Sequence, residues 1–506
     1  MEGPIYCEYL ANLTTMLFKT KSKNQPTLLL LLLACFSQSC SSPEHKSFPS
    51  TPNIILMLAD DLGYADLGCY EGLPATPNLD QLANGGIRFT DFYAAAPNCS
   101  PSRAGLLTGR SPSRIGIYNY IPAGHPMHLR TEEITIGELL KQKGYQTGQF
   151  GKWHLSSLPP LEHLGQPQPH DQGFDYSLGT TNNAQPSHLN PVNFVRNGQE
   201  VGEMEGYSCD IVVDETIEWL SQARDKKRPF FSYMAFHEPH KKVASPPELT
   251  AKYAEHEPKV AEYLANIENL DAAIGRLIAY LSESNLLEET LILFSSDNGS
   301  YRNGSNAPLL GGKSFVYEGG IRVPGILYWK DQIKPNQTIH TPAGLLDIMP
   351  TISELAEQTH PQPDQLDGTS LVPILKGETL DRQKPLSWFF YRTSPEIAMR
   401  SGNYVILGSN QDSTLHTHPM SAPDMAHIKS MQLSSFELYD LSQDLPQANP
   451  LPWEQMDIGQ ELQQQLLKRF KDIQAEAPIW DSLPPANRPK KMKHQWRKLK
   501  PTGFSN

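Results

Sequence analysis

Residues 53 to 59 read Asn-Ile-Ile-Leu-Met-Leu-Ala, an almost unbroken apolar run. Such a run predicts a strand covered on both faces. Helix and strand patterns then alternate. Ile134 to Lys143 predicts a helix closed by Gly144, and Tyr145 to Phe150 the next strand. Ile211 to Ala223 predicts a helix and Pro229 to Phe236 a strand. Tyr263, Ile267, Leu270, Ile274, Leu277 and Leu281 recur at helical spacing on one long amphipathic segment. Thr290 to Phe294 and Gly325 to Trp329 are further apolar strands. This alternation predicts an α/β fold with a mostly parallel sheet flanked by helices.

Beyond about residue 380 the pattern changes. Trp388 to Tyr391, Ile397 to Met399, Tyr404 to Leu407 and Phe436 to Tyr439 predict short strands without intervening helices. A helix from about Ile458 to Ile473 follows. A catalytic-sized domain over 51–380 and a smaller C-terminal subdomain over 381–506, built on an antiparallel sheet, are the expected organisation. No internal repeat is evident.

The first 50 residues follow another logic. Lys19, Lys21 and Lys23 precede the run Leu28 to Leu33, then Ala34-Cys35 and Ser39-Cys40. A charged region, a short apolar core and small residues predict an export signal over 1–41, with a Ser/Pro-rich linker over 42–50. The apolar run is too short to span a bilayer. Leu32-Leu33-Ala34-Cys35 resembles a bacterial lipoprotein cleavage box, with Cys40 a second candidate for lipid. The alternative is ordinary cleavage and a free secreted protein. Location is therefore expected to be periplasmic, cell-surface or secreted. The net charge of -12 argues against a general nucleic-acid binder, although a pocket can be locally basic. Seven basic residues between Arg488 and Lys500 read as a solvated tail, with contact to a polyanionic glycan the alternative.

Candidate chemistry gathers at predicted strand ends. Asp60-Asp61 closes the first strand, and Asp297-Asn298 follows a later one in Ser295-Ser296-Asp297-Asn298-Gly299. Such pairs also serve as turns and caps. Together they offer only oxygen donors, which suit a hard cation such as Ca2+ or Mg2+. Cys99-Ser100-Pro101-Ser102-Arg103 runs on into Leu107-Thr108-Gly109-Arg110. Basic strings complete the set: Gly151-Lys152-Trp153-His154, His237 in Ala235-Phe236-His237-Glu238-Pro239-His240, and Lys313 in Gly311-Gly312-Lys313-Ser314. Lys and His at these places are cations and donors able to hold an anion. A helix starting near Pro101 would carry Arg103 back over Cys99 and present backbone N–H groups to an anion.

This ensemble resembles the formylglycine-dependent sulfatases, in particular bacterial relatives of arylsulfatase A and N-acetylgalactosamine-6-sulfatases. Glu318-Gly319-Gly320-Ile321-Arg322-Val323-Pro324, Asp347 to Thr351, Leu366 to Leu371 and Glu437 to Leu441 extend the likeness over most of the chain after the leader. The resemblance implies an alkaline-phosphatase-like fold and hydrolysis of sulfate esters of carbohydrates, whether algal polysaccharides or glycosaminoglycan fragments. It implies that a maturation enzyme converts Cys99 to formylglycine, whose hydrate is the nucleophile. It places one divalent metal, usually calcium, on Asp60, Asp61, Asp297 and Asn298 with the modified Cys99. Arg103, Lys152 and Lys313 would neutralise sulfate. His237 is the first choice of general acid, with Lys313 its partner, and His154 would take the proton that lets the aldehyde re-form. Ser156 departs from the glycine usual after this motif. With Cys99 converted, Cys69 and Cys209 would be the remaining candidates for a disulfide. Asn182, Asn183, His188, His240, Lys241 and Lys242 either line a sugar site or lie in solvated loops. Rival readings are a phosphate or phosphonate monoester hydrolase of the same fold and a catalytically silent binder of sulfated glycans.

Overall fold

The computed structural model describes residues 48–49, 51–161, 164–301, 304–410 and 420–480. The export segment, with Cys35 and Cys40, and the basic run from Arg488 lie outside the described residues. An eleven-stranded sheet forms the centre: β1 (Asn53–Asp60), β2 (Ile87–Tyr93), β3 (Gln146–Lys152), β4 (Tyr176–Thr180), β5 (Phe194–Arg196), β6 (Gln199–Gly202), β7 (Phe230–Pro239), β8 (Thr290–Ser296), β9 (Arg322–Tyr328), β10 (Gln337–Ile339) and β11 (Ala343–Gly344). The spatial order is β10-β2-β9-β8-β1-β7-β3-β4-β5-β6, with β11 also on β2. β8, β1, β7, β3 and β4 are neighbours and mutually parallel, so their C-terminal ends share one edge. Antiparallel pairings of β9 with β8 and β2 bring β2 into the same direction.

The main helices are α1 (Pro77–Gly85), α2 (Cys99–Thr108), α3 (Ile136–Gln142), α4 (Ser208–Glu218), α5 (Pro258–Glu283), α6 (Ala422–Ser430) and α7 (Asp457–Glu476). All eight residues of β1 are buried, as its unbroken apolar run requires. Ile54, Leu56 and Leu58 point into one core with residues of α2, α3 and α7. Ile55, Met57 and Ala59 point into another with α1, α4 and α5. Each fully buried aliphatic side chain contributes about 1.5–3 kcal/mol. The predicted stripe on α5 is its buried face. A Thr135–Glu138 capping box starts α3, two residues inside the predicted boundary.

A second, antiparallel sheet is formed by β12 (Leu386–Phe389), β13 (Ile397–Ser401), β14 (Tyr404–Ser409) and β15 (Ser435–Asp440). The sequence expectation of strands uninterrupted by helix fails at one place, because α6 lies between β14 and β15. Its apolar signal is only Met425 and Ile428, and Asp424 caps it through Ser421. α7 buries Leu462, Leu466, Phe470 and Ile473 at helical spacing. A buried ionic cluster joins the two sheets. Arg322 meets Asp91 at 2.9 Å and Glu318 at 3.2 Å, Arg400 meets Asp91 at 2.6 Å, and Tyr93 Oη donates to Glu318 at 2.7 Å. Cys69 and Cys209 are free thiols, so the candidate disulfide is not formed; Cys209 is buried beside Asn269 Nδ2 at 3.2 Å. Among the described residues no helix is long and apolar enough to cross a membrane.

Candidate active site

The shared edge of the parallel strands gathers the predicted chemistry. Asp60 ends β1, Lys152 ends β3, Thr180 ends β4, His237 lies near the end of β7, and Asp297-Asn298 follows β8. Ligands bind at this edge in open α/β sheets. Cys99 opens α2, whose ten residues are all buried. The helix begins two residues before the position expected from Pro101. Asp61, His154 and Ser314 adopt positive φ of 65°, 55° and 74°. Such conformations cost of order 1–3 kcal/mol for non-glycine residues and concentrate at functional sites. Gly151, with φ 92°, lets β3 pass close to β7, since a Cβ there would lie 2.0 Å from the Ala235 carbonyl oxygen. A Cβ on Gly299 would lie 1.9 Å from the Gly319 oxygen. The glycines of both motifs are therefore demanded by close backbone approach.

The side chains form one dense network. Lys152 Nζ donates to Asp60 Oδ2 at 2.7 Å. Lys313 Nζ lies 2.5 Å from Asp61 Oδ1 and 3.0 Å from Cys99 Sγ. Cys99 Sγ is 3.6 Å from Asp60 Oδ1. Arg103 is engaged by Asp297 and the backbone of β3. Its Nε and Nη2 donate to Asp297 Oδ2 at 2.9 and 2.7 Å, and Nη1 donates to the Lys152 carbonyl at 3.1 Å. His154 Nε2 lies 3.1 Å from the Ile121 carbonyl. That oxygen can only accept, so Nε2 carries the proton and Nδ1, buried without a partner, keeps its lone pair. Thr180 Oγ1 gives its proton to Asn182 O at 2.6 Å and so accepts from His237 Nε2 at 2.8 Å. His237 Nδ1 is also buried without a partner.

These residues fit a hard cation. Donor atoms of Asp60, Asp61, Cys99 and Asp297 all lie within 4.8 Å of one another. Asn298 Nδ2 is fixed by Asp61 Oδ1 at 2.7 Å and Gly299 O at 2.9 Å, while its Oδ1 is buried with no partner. An orphaned amide oxygen beside converging carboxylates is what an oxygen-seeking ion requires. Three carboxylates, Asp60, Asp61 and Asp297, stand against three cations, Arg103, Lys152 and Lys313. A dication added to this balanced set would leave it positive, suited to an anionic substrate.

Electrostatics constrain each group. Burial alone would raise Asp60, but Lys152, then His240, Arg103 and Lys313, reverse this and hold its carboxyl well below the usual value. Burial and the neighbouring Asp60 push Asp297 up, against the pull of Arg103. Burial pushes the Cys99 thiol up to about 12, despite Lys152 and Lys313, with Asp297 and Asp60 adding to the rise. An unmodified Cys99 is therefore a poor source of thiolate. Burial, then Lys152 and Arg103, keep His154 well below the ordinary histidine value. Burial, then His188, do the same for His237. Lys313 is lowered by burial but raised far more by Asp61, Cys99, Asp60 and Asp297, so it stays charged.

Nearby residues sort differently than the sequence allowed. His188 is fully buried, with Nδ1 3.7 Å from Glu238 Oε1, and is no solvated loop residue. His240 is largely buried with Nε2 3.6 Å from Asp61 Oδ2, at the metal-type cluster. Lys241 and Lys242 are exposed, and Asn182 and Asn183 half-buried. Sequence reasoning missed Thr180, because the short strand Tyr-Ser-Leu-Gly-Thr carries little apolar signal. It also missed Asp66, which accepts from Gly63 N, Ser305 N and Tyr263 Oη, each at 2.7 Å, and braces the loop after Asp61.

The chain belongs to the sulfatase family, whose model matches residues 52–358. A model described as N-sulphoglucosamine sulphohydrolase, C-terminal, matches residues 310–411. Human arylsulfatase A is 38% identical over 437 residues, covering 78% of this chain and 82% of that protein. The N-acetylgalactosamine-6-sulfatase of Canis lupus familiaris is 34% identical over 393 residues, covering 70% and 71%. The crystal structure of Ps i-CgsB in complex with k-i-k-neocarrahexaose superposes with TM-score 0.73 at 28% identity, covering 86% of this chain and 95% of that one. The alkaline-phosphatase-like fold and the sulfatase class of enzyme, expected from the motifs, both hold.

Proposed function

We propose that this sulfatase hydrolyses sulfate esters of carbohydrates with Cys99 converted to formylglycine and one Ca2+ held by Asp60, Asp61, Asp297, Asn298 and residue 99, Mg2+ being the alternative ion. The observation that carries this reading is the burial of Cys99 at the start of α2, 3.0 Å from Lys313 and within the carboxylate cluster. Formylglycine supplies a hydrated aldehyde as nucleophile, and a divalent ion supplies Lewis acidity toward it. The chain's own residues do the rest. Lys152 and Lys313 bind the sulfate oxygens as charged donors. Arg103, fully engaged by Asp297 and the Lys152 carbonyl, acts as a positioning residue. His154 takes a proton at Nδ1, its free lone pair. His237 and Lys313 face the leaving alcohol. His237 is the first choice of proton donor to that alcohol, with Lys313, a charged amine beside Cys99, its partner.

The neighbour in complex with k-i-k-neocarrahexaose and the N-acetylgalactosamine-6-sulfatase relative favour a sulfated saccharide as substrate. The single carboxylate cluster among the described residues favours a one-metal sulfatase over a two-metal phosphatase. We assign 51–380 to the catalytic domain, 381–506 to a C-terminal subdomain and 1–41 to export toward the periplasm or cell surface, to be checked by fractionating the native host. The functional test compares 4-nitrophenyl sulfate with 4-nitrophenyl phosphate, using protein matured with a formylglycine-generating enzyme. Preferential sulfate release is expected. Preferential phosphate release would install the phosphatase reading, and silence toward both, with residue 99 fully converted, the binding-protein reading.

A further inference from the structure

The loop between β12 and β13 carries Tyr391-Arg392-Thr393, and both flanking residues are pinned to segments that touch the Cys99 site. The Tyr391 ring packs on Tyr118 with centroids 6.1 Å apart. Tyr118 leads directly into Ile121, whose N–H donates to Ser100 Oγ at 3.0 Å and whose carbonyl holds His154. Thr393 Oγ1 donates to the Ser314 carbonyl at 2.6 Å. Ser314 follows Lys313, and its N–H donates to the Pro97 carbonyl at 2.7 Å, two residues before Cys99. The backbone that carries Arg392 is thus held between two segments that lead to the nucleophile position.

Its guanidinium is half-buried, yet it meets no carboxylate and no hydrogen-bond acceptor among the described residues. Burial is the one influence acting on it, and it lowers the group from its ordinary value. Other arginines of intermediate burial among the described residues find acceptors: Arg196, Arg382 and Arg469 meet the carboxylates of Glu215, Asp347 and Asp367, while Arg88 and Arg228 meet backbone carbonyls. A partly desolvated cation without a counter-charge is costly unless a ligand supplies one. The planar fork of donors matches a sulfate or carboxylate. The scissile sulfate already has Lys152 and Lys313, so the group that Arg392 serves is a different one.

Resting on the sulfatase reading above, we propose that Arg392 forms a second anion subsite at the rim of the Cys99 site, binding a further sulfate or carboxylate of the saccharide. The test measures kcat/KM of wild type, Arg392→Gln and Arg392→Lys on 4-nitrophenyl sulfate. It adds a saccharide panel in which each singly sulfated member is paired with forms carrying a second sulfate or a uronate. Wild type is expected to prefer at least one doubly anionic member by about 10-fold or more. Arg392→Gln should lower that preference by about the same factor, through KM, and Arg392→Lys should restore part of it. The form preferred tells sulfate from carboxylate. General damage would lower all substrates together and leave the ratio intact. A ratio unchanged in Arg392→Gln, or a wild type indifferent to the second charge, overturns the subsite. A matured wild type inert on every sulfate ester overturns the sulfatase reading instead.

Discussion

Two buried ionic clusters of this molecule use the same residue types to opposite ends. At the junction of the sheets, Asp91 and Glu318 are separated by Arg322 and Arg400, and each carboxylate meets a guanidinium. At the strand edge, Asp60, Asp61 and Asp297 converge on one another, with cations at the periphery. The first arrangement matches each carboxylate to a guanidinium and leaves one carboxylate oxygen, Glu318 Oε1, without a hydrogen-bond partner. The second leaves Asn298 Oδ1, His154 Nδ1 and His237 Nδ1 without partners. Like charges turned inward, rather than burial or charge as such, distinguish a site awaiting ligands from a structural clasp.

Breaking the edge cluster should cost activity, and breaking the junction should cost stability. Cys99→Ala is expected to lower sulfate-ester turnover by at least about 1,000-fold while the melting temperature stays near that of wild type. Asp297→Asn strips both a cation ligand and the partner of Arg103. It should lower kcat/KM by about 100-fold or more; added Ca2+ is expected to raise the melting temperature of wild type if the proposed site binds it, and this rise should be lost in the variant. Metal content measured on the purified variant checks the same point. Arg400→Met should do the reverse, costing about 3–5 kcal/mol in denaturant unfolding while kcat of the folded fraction is retained. A loss of kcat there without loss of stability would erase the contrast.

The smallest effect concerns pH. Asp367 accepts from Ser111 N, Arg114 and Arg469. Burial alone would raise its carboxyl, but Arg469 and Arg114 overcome this and lower it. A depressed folded-state value means stability that is present above the unfolded carboxylate value near 4 and lost as pH falls below it. The melting temperature of wild type should therefore drop on acidification below about pH 4, and Asp367→Asn should already be less stable at neutral pH with a shallower acid slope.

Much of the site was legible because each motif is a contiguous string tied to one strand end. Asp60-Asp61, Lys152-Trp153-His154 and Asp297-Asn298 announce themselves beside apolar runs. The long stripe of α5 and the runs of β1 and β8 were legible for the same reason: their periodicity exceeds local noise. Short elements were not. β4, β5 and β6 owe their pairing to neighbours rather than to pattern, and α6 has only two buried apolar side chains. The role of Arg103 toward Asp297, the burial of His188 and the unmatched Arg392 come from contacts between residues far apart in sequence, which no spacing encodes.

Mass analysis of the peptide containing residue 99, taken from protein that is turning over a sulfate ester, tests the central claim most directly. An aldehyde, or its hydrate, in place of the thiol is the expected result. A fully active preparation in which residue 99 is intact cysteine would contradict it.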